Sequence, residues 1–334
     1  MQLPLSYPPA CLEFISCVVL DRIPGDSFRE RLSELVTSYY QLSAQEPVVY
    51  FEFLPAFISQ ALSPQCIDRT IPITAAWQFI RLAAKLYDDV EDGTIRDGLP
   101  ETINLATGCL FAAQSALARL EEMAIRRRTV SLMISRFARA CLDTCAGQQA
   151  DLSASGENLS LDPDGWLKNA SLKSGALFAW AAWAGAAVSC DDESIAPQFE
   201  EFGRHLGILV QIADDYNDLW GEMVSTDLAH EKSGLPLCYA RLVARAVERE
   251  TLERCLSESG QGNLEAMRKV QEIVKDLGGQ SYLSSAAWLE RQRAACALEG
   301  LPFLTEIKGE VLALFDKAFP ALTHLPYEPE KQPG

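Results

Sequence analysis

The sequence predicts an all-α protein organised as one domain. Apolar residues recur at helical spacing through most of its 334 residues, and alternating runs of Val, Ile or Thr are missing. No linker, low-complexity block or internal repeat divides the chain. Residues 1–24 are Pro-punctuated and weakly periodic, which reads as an N-terminal arm. After the turn at Pro24 and Gly25, the stretch 28–40 sets Phe28, Leu32, Leu35, Val36, Tyr39 and Tyr40 at helical spacing, and 51–62 continues in kind. Pro64 and Pro72 bracket a break before a helix over 73–92. Further helices are expected over 100–123, from the Arg tract 126–128 to 153, over 166–188 with Asp164 as N-cap, and over 197–220. The polar stretch 155–165 between two of them reads as a loop. Four more helical runs, 233–256, 263–279, 282–298 and 303–319, are separated by Gly, Pro or Asn. The helical domain therefore covers 25–323, and the Pro-rich tail 324–334 is expected to fray.

The stretch 86–100, LYDDVEDGTIRDGLP, closes the helix over 73–92 with Asp88, Asp89 and Asp92. Spacings of i,i+3 and i,i+4 bring the three carboxylates to one helix face, where they repel unless a cation sits on them. Oxygen-only ligation suits a hard ion, and Mg²⁺ is usually held by one or two carboxylates plus water and substrate phosphates. The same spacing recurs at Asp214, Asp215 and Asp218 in QIADDYNDLWGE, again near a helix end. With Asp at roughly 6% of residues, a chain of this length holds one DDxxD by chance about once in a dozen and two only a few times per thousand. Two such helices facing across a bundle can hold several Mg²⁺ ions around a diphosphate. The metals then neutralise the departing group while an apolar interior keeps water from the carbocation left behind. The pattern predicts an enzyme that ionises a diphosphate.

A formal net charge of −17 argues against nucleic acid and against anionic membrane surfaces, both of which reward basic patches. The opening MQLPLSYPP lacks the basic and apolar regions of a secretory signal. The longest apolar run, 176–188, is too short for the roughly 20 residues of a membrane span and reads as a buried helix. Ten cysteines form no CxxC pair and do not cluster with His205, His230 or His324, so reduced thiols in a cytoplasmic protein are expected.

Over residues 70–240 the chain resembles the trans-isoprenyl diphosphate synthase (polyprenyl synthetase) family. The resemblance rests on the paired DDxxD, on SLKSG, on Gln211 before the second cluster, on TDLAHEKSGLP against the family's GxDLxxGKxTLP, and on Gly147, Gln148 and Asp151 against its GQxxDL. It implies the class I isoprenoid fold, about ten or more helices around an apolar cavity, with three Mg²⁺ ions, a prenyl diphosphate substrate and a homodimer. It also implies that Arg96, Lys173, Lys232, Asp227, Gln211 and Gln148 bind substrate. Taken alone, each of those basic residues would read as a solvated helix end. Aromatic residues are expected to line the cavity, because π-faces stabilise cations without quenching them. Phe79 and Tyr87 lie near the first cluster and Phe178, Trp180 and Trp183 near Lys173, although aromatics at helical spacing are more often ordinary core. Ala83 and Ala84, one turn before Asp88, leave depth for a tail of C20 or longer.

The departures from the family pattern are specific. The GGKRxRP that elongating members use for isopentenyl diphosphate corresponds to VVYFEFLPAFISQAL, which has neither Lys nor Arg. A second Arg expected after DDxxD is Asp97, a charge reversal of about 1 to 4 kcal/mol per close pair near a surface. Arg81 is the one nearby basic residue able to compensate, or it pairs with a carboxylate. Asp214, Asp218 and Glu222 fall at i, i+4, i+8, like the metal triad of many terpene cyclases. These departures favour a class I terpene synthase that cyclises one prenyl diphosphate. The alternatives are a chain-elongating prenyltransferase using isopentenyl diphosphate and a non-catalytic regulatory subunit of such an enzyme.

Overall fold

The computed structural model describes residues 3–43, 49–95, 98–154, 162–190, 194–221 and 234–299, with 301 and 309. Every regular element among them is helical, in agreement with the all-α expectation. The expected helix over 303–319 (apart from 309), the tail 324–334 and most of the loop 155–165 lie outside the described residues.

The first helix, α1 (Tyr7–Phe14), lies within the stretch read as an arm. Its two prolines sit in the first turn, where an absent N–H costs nothing because the first four N–H groups of a helix have no helical acceptor. A π-helical turn, Ile15–Val19, continues it, so that Tyr7, Cys11, Ile15 and Val19 are buried at intervals of four. The Tyr7 hydroxyl is fixed by Thr70 Oγ1 at 2.7 Å and Thr74 Oγ1 at 2.9 Å. Then come α2 (Asp26–Ser43), α3 (Val49–Glu52) and α4 (Leu54–Leu62). A 3-10 turn, Pro64–Thr70, leads into α5 (Ile71–Glu91), along which α6 (Leu99–Ala118) packs. The long helix α7 (Arg127–Ala154) is followed by α8 (Pro163–Ala170), α9 (Ala176–Ala187) and α10 (Ala196–Trp220). The chain continues with α11 (Leu235–Val243), α12 (Ala246–Gly260), α13 (Leu264–Asp276) and α14 (Gly279–Ala297).

Two expected helices are subdivided. The run over 166–188 is α8, a π-helical turn Ser171–Gly175 and α9. It starts earlier than expected, because Pro163 takes the first turn and its neighbour Asp162, not Asp164, is the N-cap, accepting from Gly165 N at 2.7 Å. The run over 233–256 breaks between α11 and α12, where Arg245 N donates to Glu248 Oε2 at 2.9 Å and restarts the helix.

The chain groups into two compact units. One comprises Met1–Arg139, Ala179–Gly203 and Ala297–Ala318; the other comprises Ala140–Phe178, Arg204–Cys296 and Phe319–Gly334. Among the described residues their boundaries fall inside α7, α9, α10 and the last turn of α14. In the first unit α5 buries Ile73, Trp77, Phe79 and Ile80, each large side chain stabilising by about 1.5–3 kcal/mol. Trp77 Nε1 donates to Phe51 O at 2.7 Å and Gln78 Nε2 to Glu52 O at 3.2 Å, tying α5 to the strapping segment before α4. A Cβ at Gly185 of α9 would stand 2.9 Å from Pro55 Cα, so backbone meets backbone there. Gly185→Ala is therefore expected to destabilise by about 1–3 kcal/mol, read as a lower urea midpoint with an unchanged slope.

In the second unit Leu219, Leu237, Leu252, Leu256, Val270 and Val274 form an apolar cluster under the α12–α13 hairpin. Asn263 caps α13 by accepting from Glu265 N at 3.0 Å and Ala266 N at 3.2 Å. Buried Glu290 of α14 joins α10 through His205 Nδ1 at 2.6 Å and also accepts from Arg293 Nη1 at 2.6 Å. Among the described residues no helix is long and apolar enough to cross a membrane. The most apolar, α9, has 12 residues.

Candidate active site

The first aspartate trio lies where α5 stops. Asp92 is the C-cap, its N–H donating to Asp88 O at 2.8 Å. Gly93 then turns the chain at φ +64°, a backbone angle that favours glycine. The Asp89 carbonyl accepts from Thr94 Oγ1 at 2.7 Å and Thr94 N at 3.2 Å, which locks that turn. Asp88, Asp89 and Asp92 are all partly exposed, and Lys85 Nζ lies 3.6 Å from Asp89 Oδ1. In the second unit Asp214, Asp215 and Asp218 occupy the last two turns of α10. Each trio thus adds negative charge to the negative end of a helix dipole, an arrangement that is costly until a cation joins it.

Within the second trio the members differ. Asp214 is exposed and Asp218 partly so, whereas Asp215 is buried. Its Oδ2 accepts the backbone N–H of Leu235, the first residue of α11, with Gly234 packed close beside the carboxylate. Burial holds the Asp215 carboxyl well above the usual range; the Leu235 N–H pulls it down while Asp218, Asp214 and Asp151 push it up. Asp215 therefore ties α10 to the start of α11.

Lys173 sits in the π-helical turn, a helix irregularity frequent at functional sites. Its Nζ is 2.8 Å from Asp151 Oδ2, and Asp151 Oδ1 accepts from Asn169 Nδ2 at 2.7 Å. The next residue, Ser174, donates its hydroxyl to Gln211 Oε1 at 2.9 Å. Three glycines permit this convergence. A Cβ at Gly147 of α7 would lie 2.8 Å from Lys173 Cα, and one at Gly207 of α10 would lie 2.7 Å from Gly175 Cα. The second unit thus brings together Lys173, Asp151, Gln211 and, on the same helix as Asp151, the partly buried Gln148.

Arg81 pairs with Glu52 and lies over the Trp77 ring, 5.5 Å from its centroid. Glu52 is buried, its Oε2 has no hydrogen-bond partner among the described residues, and burial raises its carboxyl above the ordinary value while Arg81 draws it back. Phe79 has no exposed surface and is core packing. Trp180 is buried too, its Nε1 donating to Met133 O at 3.1 Å and its ring 4.8 Å from Phe137. Tyr87 hydrogen-bonds Thr107 Oγ1 at 3.0 Å, and Arg136 covers the Trp183 ring at 4.5 Å. Arg96, Asp97, Glu222, Asp227 and Lys232 lie outside the described residues.

Sequence reasoning passed over Asn169, Ser174 and Glu52. Glu52 carried a signal, being the lone charge in VVYFEFLPAFISQAL, and Asn169 stands one turn before Lys173. No three His, Cys, Asp or Glu side chains among the described residues form a ready-made metal cage. The donors still fit magnesium, an ion that completes its shell with water and substrate phosphate and needs only one or two carboxylates.

The fold is that of the solved prenyl synthases. The geranylgeranyl pyrophosphate synthetase of Pyrococcus horikoshii superposes with a TM-score of 0.76 over 96% of this chain and 97% of its own, at 21% identity. A polyprenyl synthetase family model matches residues 47–276. The chain belongs to the polyprenyl synthetase family. It is 27% identical over 264 residues to the geranylgeranyl diphosphate synthase of Mycobacterium tuberculosis, covering 74% of this chain and 73% of that one. It is 26% identical over 228 residues to a short chain isoprenyl diphosphate synthase of Methanothermobacter thermautotrophicus, covering 64% and 69%.

These relatives correct the expected activity. Each is named for making a prenyl diphosphate, a product that keeps a diphosphate a cyclase expels, and this overturns the terpene synthase reading in favour of its alternative. The error has a physical source. Absence of GGKRxRP and of an Arg at Asp97 removes particular cations, but a diphosphate is bound by a set of donors that includes backbone N–H groups and metals.

Proposed function

We propose that this chain is a magnesium-dependent, chain-elongating prenyltransferase that joins an allylic prenyl diphosphate to isopentenyl diphosphate. The observation that carries the reading is the likeness, over about three quarters of both chains, to a geranylgeranyl diphosphate synthase. The allylic C–O bond breaks, pyrophosphate leaves, a C–C bond forms to the isopentenyl double bond, and a proton is lost. Asp88, Asp89 and Asp92 on α5, with Asp214 and Asp218 on α10, are assigned as metal ligands. Magnesium, when bound, supplies the Lewis acidity that neutralises the leaving pyrophosphate. Lys173, paired with Asp151, is assigned to the phosphate oxygens, which a charged ammonium binds strongly. The buried apolar helices exclude water from the allylic cation. The same reading takes three metal ions and a homodimer from the sequence resemblance, and a cytoplasmic setting from the unclustered cysteines.

Purified protein with Mg²⁺ and C5 to C20 allylic diphosphates is expected to yield diphosphates longer by one or more C5 units, only when isopentenyl diphosphate is added. Terpene hydrocarbon or alcohol released from one substrate alone would overturn the reading.

A further inference from the structure

Lys173 is aimed by a side chain that belongs to none of the motifs. Asn169 lies in the last turn of α8, four residues before Lys173, and is 7% exposed. The carboxylate of Asp151 is divided between them: Oδ1 takes the Asn169 amide at 2.7 Å and Oδ2 takes the Lys173 ammonium at 2.8 Å. Rotating that carboxylate breaks both bonds. The amide itself has one acceptable orientation, because a flip would set its oxygen against a carboxylate oxygen. In that orientation Asn169 Oδ1 is buried with no hydrogen-bond partner among the described residues. A leucine would fill the same space without stranding an acceptor, so packing does not account for an amide at this position.

We infer that Asn169 is a positioning residue: it fixes Asp151 so that Lys173 stands ready for the diphosphate of the allylic substrate. The inference rests on the proposed function for the identity of that ligand. Asn169 touches no reacting atom; it acts through Asp151. Backbone contact between α7 and the π-helical turn at Gly147 keeps Asp151 and Lys173 in register, and the Asn169 amide opposes rotation of the carboxylate.

The test is binding, which needs no turnover. Geranyl thiodiphosphate, a slowly reacting analogue, is titrated calorimetrically into full-length protein with Mg²⁺. Asn169→Leu is expected to weaken it about tenfold, in the range of a hydrogen bond to a charged group. The melting temperature should hold or rise, since the stranded acceptor is gone. In an Asp151→Asn background Asn169→Leu should cost nothing further. Asn169→Ser, too short to reach Asp151, gives the same loss of affinity if Leu disturbs the fold. Unchanged affinity, a loss that simply tracks a lower melting temperature, or equal losses in both backgrounds would each overturn the inference. If the wild type binds the analogue and the variants behave as expected yet no elongation occurs, the proposed function fails and the positioning role stands.

Discussion

Asp88→Asn and Asp214→Asn are each expected to lower turnover at least about a thousandfold while leaving the helical circular dichroism and melting temperature unchanged or raised. The size follows from the role: charge developing on a leaving diphosphate is stabilised by several kcal/mol through metal contact, and each 1.36 kcal/mol is tenfold in rate. The stability follows from the position. Both carboxylates sit on partly or fully exposed faces at the negative ends of α5 and α10, where neutralisation relieves repulsion. Asp215→Asn should differ, since its carboxylate is buried on the Leu235 N–H and its replacement disturbs the start of α11. Activity surviving in both Asp88→Asn and Asp214→Asn would remove the metal assignment.

Arg81→Leu is expected to destabilise the protein by about 3–5 kcal/mol at neutral pH, because it leaves the Glu52 carboxylate buried without its cation. The deficit has a defined pH course. Burial already holds Glu52 above its ordinary value of 4.5, with Arg81 as the opposing influence, so loss of Arg81 raises it further. A carboxyl raised in the folded state binds more protons folded than unfolded between the two values, and stability there falls as pH rises. The deficit should therefore be complete above the folded value and vanish below the unfolded one. Urea midpoints from pH 4 to 8 measure it, and Glu52→Gln added to Arg81→Leu should recover most of the loss at pH 8. A deficit independent of pH would mean that lost packing against Trp77, not the charge, is responsible.

Much of this architecture could be read from residue spacing alone. Helix α5 begins and ends within two residues of expectation, and α10 within one, because long amphipathic periods closed by proline, glycine or an acidic cluster leave little ambiguity. Interruptions inside apolar runs were not legible. The π-helical turn around Lys173 depends on α7 and α10 pressing in at Gly147 and Gly207, a tertiary cause with no local pattern. The aspartate trios were legible for the opposite reason, since like charges crowded on one helix face need an explanation wherever they occur. The pairings of Asn169 and Glu52 were not, because their partners Asp151 and Arg81 stand 18 and 29 residues away.

At Gly147 and Gly207 main chain lies against main chain with no side chain between. A wall of that kind offers selection nothing to exchange: no larger or smaller residue can be tried there without prying helices apart. Variation near this turn must then fall on positions where side chains, not main chain, make the contact. Lineages that share the lysine turn can therefore diverge around it while its backbone stays the same.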